Sequence, residues 1–453
     1  MCRFGEGIAK VTERPQPVAQ SSGLGRQRPV RPTKLFRTSY LVQPRPQRAG
    51  RPVWCYIRKG CPAAVLASVT TPGDHEAVIT ASWTGGAEAL ETPIPLVDLD
   101  RLERNLDRMA EYASRHGLAL RPHTKTHKSP RVAAEQVRRG AVGLTCATLL
   151  EAEVMSEVCD DILLAYPPVG SSKLQRLLAL PDDIELTVAL DSIEVAEALA
   201  HAAGERGRTV GVYVELDVGM HRVGLPAIED ALALVRHVSE RPPLVYRGIT
   251  FYPGHIRAPV GQQGKEIARL SSDLRAAIET LDRAGLRPGV VSGGSTPTIT
   301  RAHEIEGLTE IRPGTYAYND RITQQTGACS WDDCALTVLA TVVSTAVPGQ
   351  AVIDAGSKAL GREPAAGPED GFAALLDRPE VTVQRLSEEH GILDLRHSDW
   401  RPAVGEQVRL VPNHVCFAVH LHEVVYGMRG NRIETSWPVS ARGRRPHGRS
   451  VGV

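Results

Sequence analysis

The stretch RPHTKTHKSP, residues 121–130, sets Lys125 and Lys128 among His123 and His127 and brackets them with prolines. Such a cluster is a basic surface loop, a metal site or the seat of a reactive amine. The residues before it, Gly117 to Arg121, read as a short apolar strand that Pro122 terminates. A lysine at the mouth of a strand faces the region where α/β folds keep their chemistry, and a neutral lysine amine there can form a Schiff base. A second stretch, VSGGSTPT at 291–298, runs a strand into Gly293 and Gly294 and then into Ser295 and Thr296. Glycines let backbone N–H groups turn inward as an anion nest, and the hydroxyls add donors. The nearby EIRPGTY at 310–316 offers a second glycine turn at Gly314 and Thr315 that could close on the same anion. A phosphate nest plus a Schiff-base lysine points to pyridoxal 5'-phosphate (PLP). Late in the chain stand His414 and Cys416 in PNHVC. In a strand, i and i+2 share a face, so imidazole and thiolate would reach one ion. That donor pair favours zinc, with manganese or magnesium as other divalent candidates, and leaves coordination positions for water and substrate.

These residues need elements to carry them. From Thr92 onward short apolar strands alternate with amphipathic helices at short spacing. About eight such units, ending near Cys334, predict a closed (β/α)8 TIM-type barrel over 91–334, its strands buried on both faces. The helix after Asp100 carries Leu102, Leu106, Met109 and Ala110 on one face, and Asp100 with Glu103 reads as its capping box. After 334 strands follow one another without helices, including Val415 to Leu421, which predicts a mostly β domain over 335–440. Residues 1–90 are rich in Arg, Pro, Gly and Ser and read as a disordered extension, and 441–453 as a disordered tail.

Composition narrows the classes. The 453 residues carry a formal net charge of +1, which gives no long-range attraction to nucleic acid or anionic membrane. No apolar run approaches the roughly 20 residues that span a bilayer. Eight scattered cysteines lack zinc-finger or thioredoxin spacing, and Cys329 and Cys334 stand close without a second pair. The expectation is a reducing compartment, the cytoplasm, with free thiols.

The segments RPHTKTHK, DILLAYPPVG, ELDVGMHRVG, FYPGHI, VSGGSTPT, EIRPGTY and PNHVC occur in the order seen in the D-threonine aldolase and D-serine dehydratase family, which the chain resembles over roughly residues 92–440. That family comprises metal-activated relatives of alanine racemase. The resemblance implies that Lys125 carries PLP, that Arg222 contacts its phenolic oxygen and that Tyr252 lies near its ring. Gly293, Gly294, Ser295, Gly314 and Thr315 would hold the phosphate, with Tyr316 beside them, and His414 and Cys416 would hold the metal. His123 and His127 would orient or pack beside Lys125. Glu388, Glu389, His390 and Lys358 are further candidates near the site. The implied activity is lyase chemistry on a small D-3-hydroxy amino acid: retro-aldol cleavage to glycine and an aldehyde, or dehydration to a 2-oxo acid and ammonia. The overall layout resembles the aldolases, whereas a cysteine at 416 resembles the dehydratases, the aldolases having aspartate there. An amino acid racemase and a non-catalytic PLP-binding protein are the remaining alternatives. The resemblance also implies a head-to-tail homodimer in which one chain's β domain completes its partner's site.

Overall fold

The computed structural model describes residues 90–365, 367 and 370–444. The extension expected at 1–90 (but for Leu90) and the tail from 445 onward lie outside the described residues. Chain order begins with β1 (Ile94–Asp98) and α1 (Leu99–Arg115). Leu99, Leu102, Leu106, Met109 and Ala113 are the buried face of α1, the three-and-four spacing of an amphipathic helix. Asp98, rather than Asp100, is its cap, accepting from the Arg101 N–H at 3.0 Å. The helix starts where β1 ends, so Asp100 and Glu103 fall inside it and pair instead with Arg429.

Eight parallel strands follow: β2 (Ala119–Leu120), β3 (Leu144–Cys146), β4 (Asp161–Leu164), β5 (Glu185–Leu190), β6 (Val210–Leu216), β7 (Leu244–Phe251), β8 (Val290–Gly293) and β9 (Glu310–Ile311). Between them run α2 (Pro130–Arg138), α3 (Leu149–Met155), α4 (Ser171–Leu178), α5 (Ile193–Arg206), α6 (Ile228–Ser239) and α7 (Gly264–Arg283). The sheet order is β2-β9-β8-β7-β6-β5-β4-β3. A parallel bridge from His123 to Thr145 joins its two ends, so the expected barrel closes next to Lys125. The strands lie under helices on the outside and pack against one another inside. Every residue of β6 is accordingly buried, as a parallel strand covered on both faces requires.

After α8 (Arg321–Gln325) comes a nine-stranded sheet. It contains β10 (Leu336–Ser344), β11 (Gln350–Ile353), β12 (Ala373–Leu375), β13 (Val383–Leu386), β14 (Gly391–Asp394), β15 (Gln407–Pro412), β16 (Val424–Arg429) and β17 (Arg432–Pro438). Two short helices, α9 (Ser357–Leu360) and α10 (Val415–Leu421), interrupt it. The ninth strand is β1, which pairs antiparallel with β10 and parallel with β16. The chain thus begins in the second sheet before entering the barrel. No helix among the described residues is long and apolar enough to cross a membrane.

Candidate active site

Past β2 the backbone leaves regular pairing at Pro122 and is pinned to β3. Thr145 N–H donates to Pro122 O, and Thr124 N–H to Thr145 O, both at 2.9 Å. This sets the Lys125 loop on the C-terminal rim of the barrel. The half-buried Lys125 Nζ lies 5.4 Å from the Tyr252 ring centre, and the Arg222 guanidinium carbon lies 5.1 Å from the same ring. Tyr252 follows β7 directly, so the end of one strand gathers a lysine from β2 and an arginine from the loop after β6. Lys128 does not belong to this group. Its φ of 50° turns it away, and it pairs with the fully buried Glu151.

The two histidines are held neutral. Burial, then the positive charges of Lys125 and Arg312, hold His123 well below the usual imidazole range. Burial pushes His127 down to about 4, against hydrogen bonds to Gln136 and Ser129. Neither imidazole is placed against the Lys125 amine by a hydrogen bond: His123 Nδ1 accepts the Lys125 backbone N–H at 3.4 Å, and His127 packs away from it.

The segments expected to hold a phosphate form two glycine turns. Gly294 has a φ of +94°, the left-handed region that glycine enters without strain, and Ser295 caps the 3-10 turn Thr296–Glu304. Gly314 is pressed against the lysine loop, because a Cβ there would lie 2.9 Å from Thr126 Oγ1 and 3.0 Å from His123 O. The second glycine turn thus lies directly against the lysine loop.

Sequence reasoning passed over Arg312, although it stands inside EIRPGTY. It is buried, and it donates to Thr250 Oγ1, to Phe251 O at 3.0 Å and to Ser292 Oγ at 3.3 Å. Its own N–H donates to Gly293 O at 3.1 Å. It therefore ties the ends of β7 and β8 together under Tyr252 and the first glycine turn. The signal was available: an arginine followed by Pro-Gly at the end of a buried strand must find acceptors inside the barrel. Beneath it Arg121 bridges Glu310 at 2.8 Å and Asp161 at 2.6 Å.

His414 and Cys416 do come together, but not on a strand. The segment expected as strand Val415 to Leu421 is α10, with His414 as its extended N-cap residue. The reason is Asp320. Its carboxylate caps α8 through Thr323 N–H at 2.8 Å and accepts the Val415 N–H at 3.1 Å, which starts a helix where alternation suggested a strand. The cap and first turn then bring imidazole and thiol close enough for each to shift the other's titration. Burial alone would lower His414, but Cys416, then Asp320 and Glu363, raise it to about 9. Burial would raise the Cys416 thiol, yet His414, then Lys125 and Thr126, bring it below its ordinary value. Imidazole nitrogen and a thiol drawn toward its thiolate are a soft donor set that would fit a zinc-like ion once the imidazole gives up its proton. Cys416 Sγ lies 3.2 Å from Thr126 Oγ1 and 3.9 Å from Thr315 Oγ1, so the pair abuts the lysine loop and the second glycine turn. Among the described residues no three His, Cys, Asp or Glu side chains cluster as a metal site. Glu388, Glu389 and His390 form an exposed turn between β13 and β14, and Glu389 pairs with Lys358 at 2.7 Å.

Comparison with known proteins agrees with this layout. Residues 97–321 match the alanine racemase N-terminal domain and residues 335–428 the serine dehydratase domain. The chain is 32% identical to 3-hydroxy-D-aspartate aldolase of Paracoccus denitrificans over 369 residues, covering 78% of this chain and 93% of that one. It is 34% identical to D-threo-3-hydroxyaspartate dehydratase of Delftia over 347 residues, covering 72% of this chain and 91% of the other. The crystal structure of D-threonine aldolase from Filomicrobium marinum superposes with a TM-score of 0.74 at 32% identity, over 79% of this chain and 97% of that one. Fold and site define a lyase built on the alanine racemase barrel. The chain belongs to the PLP-dependent D-threonine aldolase and D-serine dehydratase family.

Proposed function

We propose that the protein is a PLP- and divalent-metal-dependent lyase that breaks a bond at Cβ of a small D-3-hydroxy amino acid. The observation that carries this reading is the approach of Cys416 Sγ to Thr126 Oγ1, 3.2 Å, which joins the metal-type pair to the residue beside Lys125. A substrate amine held at Lys125 and a β-hydroxyl held at the His414 and Cys416 pair then belong to one molecule.

Bound PLP supplies an electron sink at Cα, and a bound divalent ion polarises the Cβ hydroxyl. The protein supplies position and protons. Gly293, Gly294, Ser295, Gly314 and Thr315 would hold the phosphate. Arg222 and Tyr252 would flank the ring, and Arg312 keeps the strand ends beneath it fixed. His414, losing its proton, and Cys416 would hold the ion, with zinc favoured by the sulfur ligand. Lys125 would hold the cofactor and, with its amine free, would serve as the base at the site.

The first reading of the outcome is retro-aldol cleavage to glycine and an aldehyde, in line with the aldolase names among the relatives. Dehydration is favoured by a specific observation: residue 416 is a cysteine, and in this reading Lys125 would take the Cα proton while the ion would hold the leaving hydroxyl. Purified protein incubated with PLP, zinc, manganese or magnesium, and D-threonine, D-serine or D-3-hydroxyaspartate decides between them. Glycine plus aldehyde establishes the aldolase, and a 2-oxo acid plus ammonia the dehydratase. We further propose a homodimer, on the family resemblance alone; a monomeric mass in light scattering refutes it.

A further inference from the structure

One buried polar chain runs behind the site and takes no part in the chemistry above. The Ser129 N–H donates to His127 Nδ1 at 3.1 Å. That bond uses Nδ1 as acceptor, so Nε2 carries the imidazole proton, and it points at Gln136 Oε1, 3.2 Å away. Gln136 Nε2 in turn donates to the Tyr316 hydroxyl at 2.9 Å. Every direction in the chain is set by its first link. His127 is 0% exposed, Gln136 1% and Tyr316 4%, so none of these bonds can be exchanged for water.

The ends of this chain are the two loops that PLP must bridge. His127 lies two residues beyond Lys125. Tyr316 follows Gly314 and Thr315 in the second glycine turn. In front, the same loops touch through Gly314 against Thr126 and through His123 N–H donating to Pro313 O at 3.0 Å. Behind, only Gln136 on α2 spans them among the hydrogen bonds of the described residues. The PLP ring is rigid and its phosphate hangs on a short arm of two rotatable bonds, so the separation of the lysine-bound carbon and the phosphate is held within a narrow range. Its affinity therefore depends on how closely the gap between the loops matches that length.

We propose that Gln136 is a positioning residue that sets the spacing between the Lys125 loop and the second glycine turn, and so the fit of the cofactor between its lysine and its phosphate. Glutamine suits the task because one end group offers an acceptor to the imidazole and a donor to the phenol. An aliphatic side chain of equal length would fill the space and leave a buried N–H and a buried hydroxyl unpaired. A carboxylate could accept from both, since the phenol can donate as well as accept. The inference rests on the PLP reading above.

The test is a PLP titration, without substrate or metal, followed by the visible band that appears when the cofactor joins a lysine. Thermal midpoints are measured alongside on Q136L, Q136E, Tyr316→Phe and the double variant Q136L with Tyr316→Phe. The expected result is a PLP dissociation constant raised about tenfold in Q136L, whose leucine leaves the His127 N–H and the Tyr316 hydroxyl without a partner. The double variant should bind no worse than the weaker single variant, and Q136E should recover to within about threefold of wild type. A lowered thermal midpoint in Q136L with PLP affinity unchanged overturns the proposal, as does Q136E binding as weakly as Q136L. A wild-type chain that takes up no PLP overturns the cofactor reading itself, and the proposal with it.

Discussion

Lys125 and Lys128 share one motif and have different fates. Lys128 is spent on an ion pair with Glu151, while Lys125 faces the Tyr252 ring beside Arg222. Lys125→Ala should therefore abolish the visible band and lower turnover by a factor of about 1,000 or more, whereas a lysine working only as a surface charge would leave both intact. The ligand pair makes a separate prediction. His414, raised to about 9, must lose its proton to bind an ion. Zinc affinity should then rise about tenfold per pH unit from pH 7 to 9 and level off above, read by metal titration at fixed ionic strength. A flat profile would mean that the imidazole is not a ligand. Cys416→Asp should keep a two-ligand site and move its preference from zinc toward manganese or magnesium, measured by competition between the ions.

At the scale of elements, a strand was expected at 415–421 because Val415, Phe417, Val419 and Leu421 alternate with other residues, and period-two alternation reads as strand. What alternation cannot register is a carboxylate from elsewhere in the chain. Asp320, 95 residues away, caps the backbone at Val415 and makes a helix. The requirement that His414 and Cys416 meet was legible; the geometry that lets them meet was not. The same holds for α1, where Asp100 and Glu103 fit a capping box locally but Arg429 of β16 claims both. The barrel strands and glycine turns could be read because hydrophobic runs and turn chemistry are local. That β1 belongs to the second sheet, and that Arg312 binds the ends of β7 and β8, are long-range pairings with no local mark. Asp320→Ala tests the point. It should cost about 2 kcal/mol by removing one cap and orphaning the Val415 N–H, seen in urea unfolding. It should also weaken zinc binding, because α10 loses its start. Gly314→Ala should cost about 1–3 kcal/mol by overpacking against Thr126 and His123, and should loosen PLP in the same titration.

For the whole molecule, His127 and His414 set opposite pH trends in the metal-free protein. His127 stays neutral in the fold down to about 4, while the unfolded chain takes up that proton near 6.5. Its contribution is present above pH 6.5 and is lost as pH falls toward 4, at roughly 1.4 kcal/mol per unit. His414 is the reverse: protonated in the fold up to about 9, it stabilises below pH 6.5 and loses that contribution as pH rises through 9. Between them stability should peak near pH 6.5. Between pH 7 and pH 5 the wild type should lose about 2 kcal/mol more than His127→Asn in denaturant unfolding, and equal slopes would contradict the neutral buried histidine.

The most direct test of the account is product identification. The purified protein is loaded with PLP, scanned in the visible, supplied with zinc, manganese or magnesium, and mixed with D-threonine, D-serine and D-3-hydroxyaspartate and with their L-enantiomers. The account predicts a visible band that Lys125→Ala lacks. It also predicts metal-dependent turnover of D-3-hydroxy amino acids, giving either glycine with an aldehyde or a 2-oxo acid with ammonia. A protein that binds PLP through Lys125 yet leaves every D-3-hydroxy amino acid unchanged with each metal would contradict it.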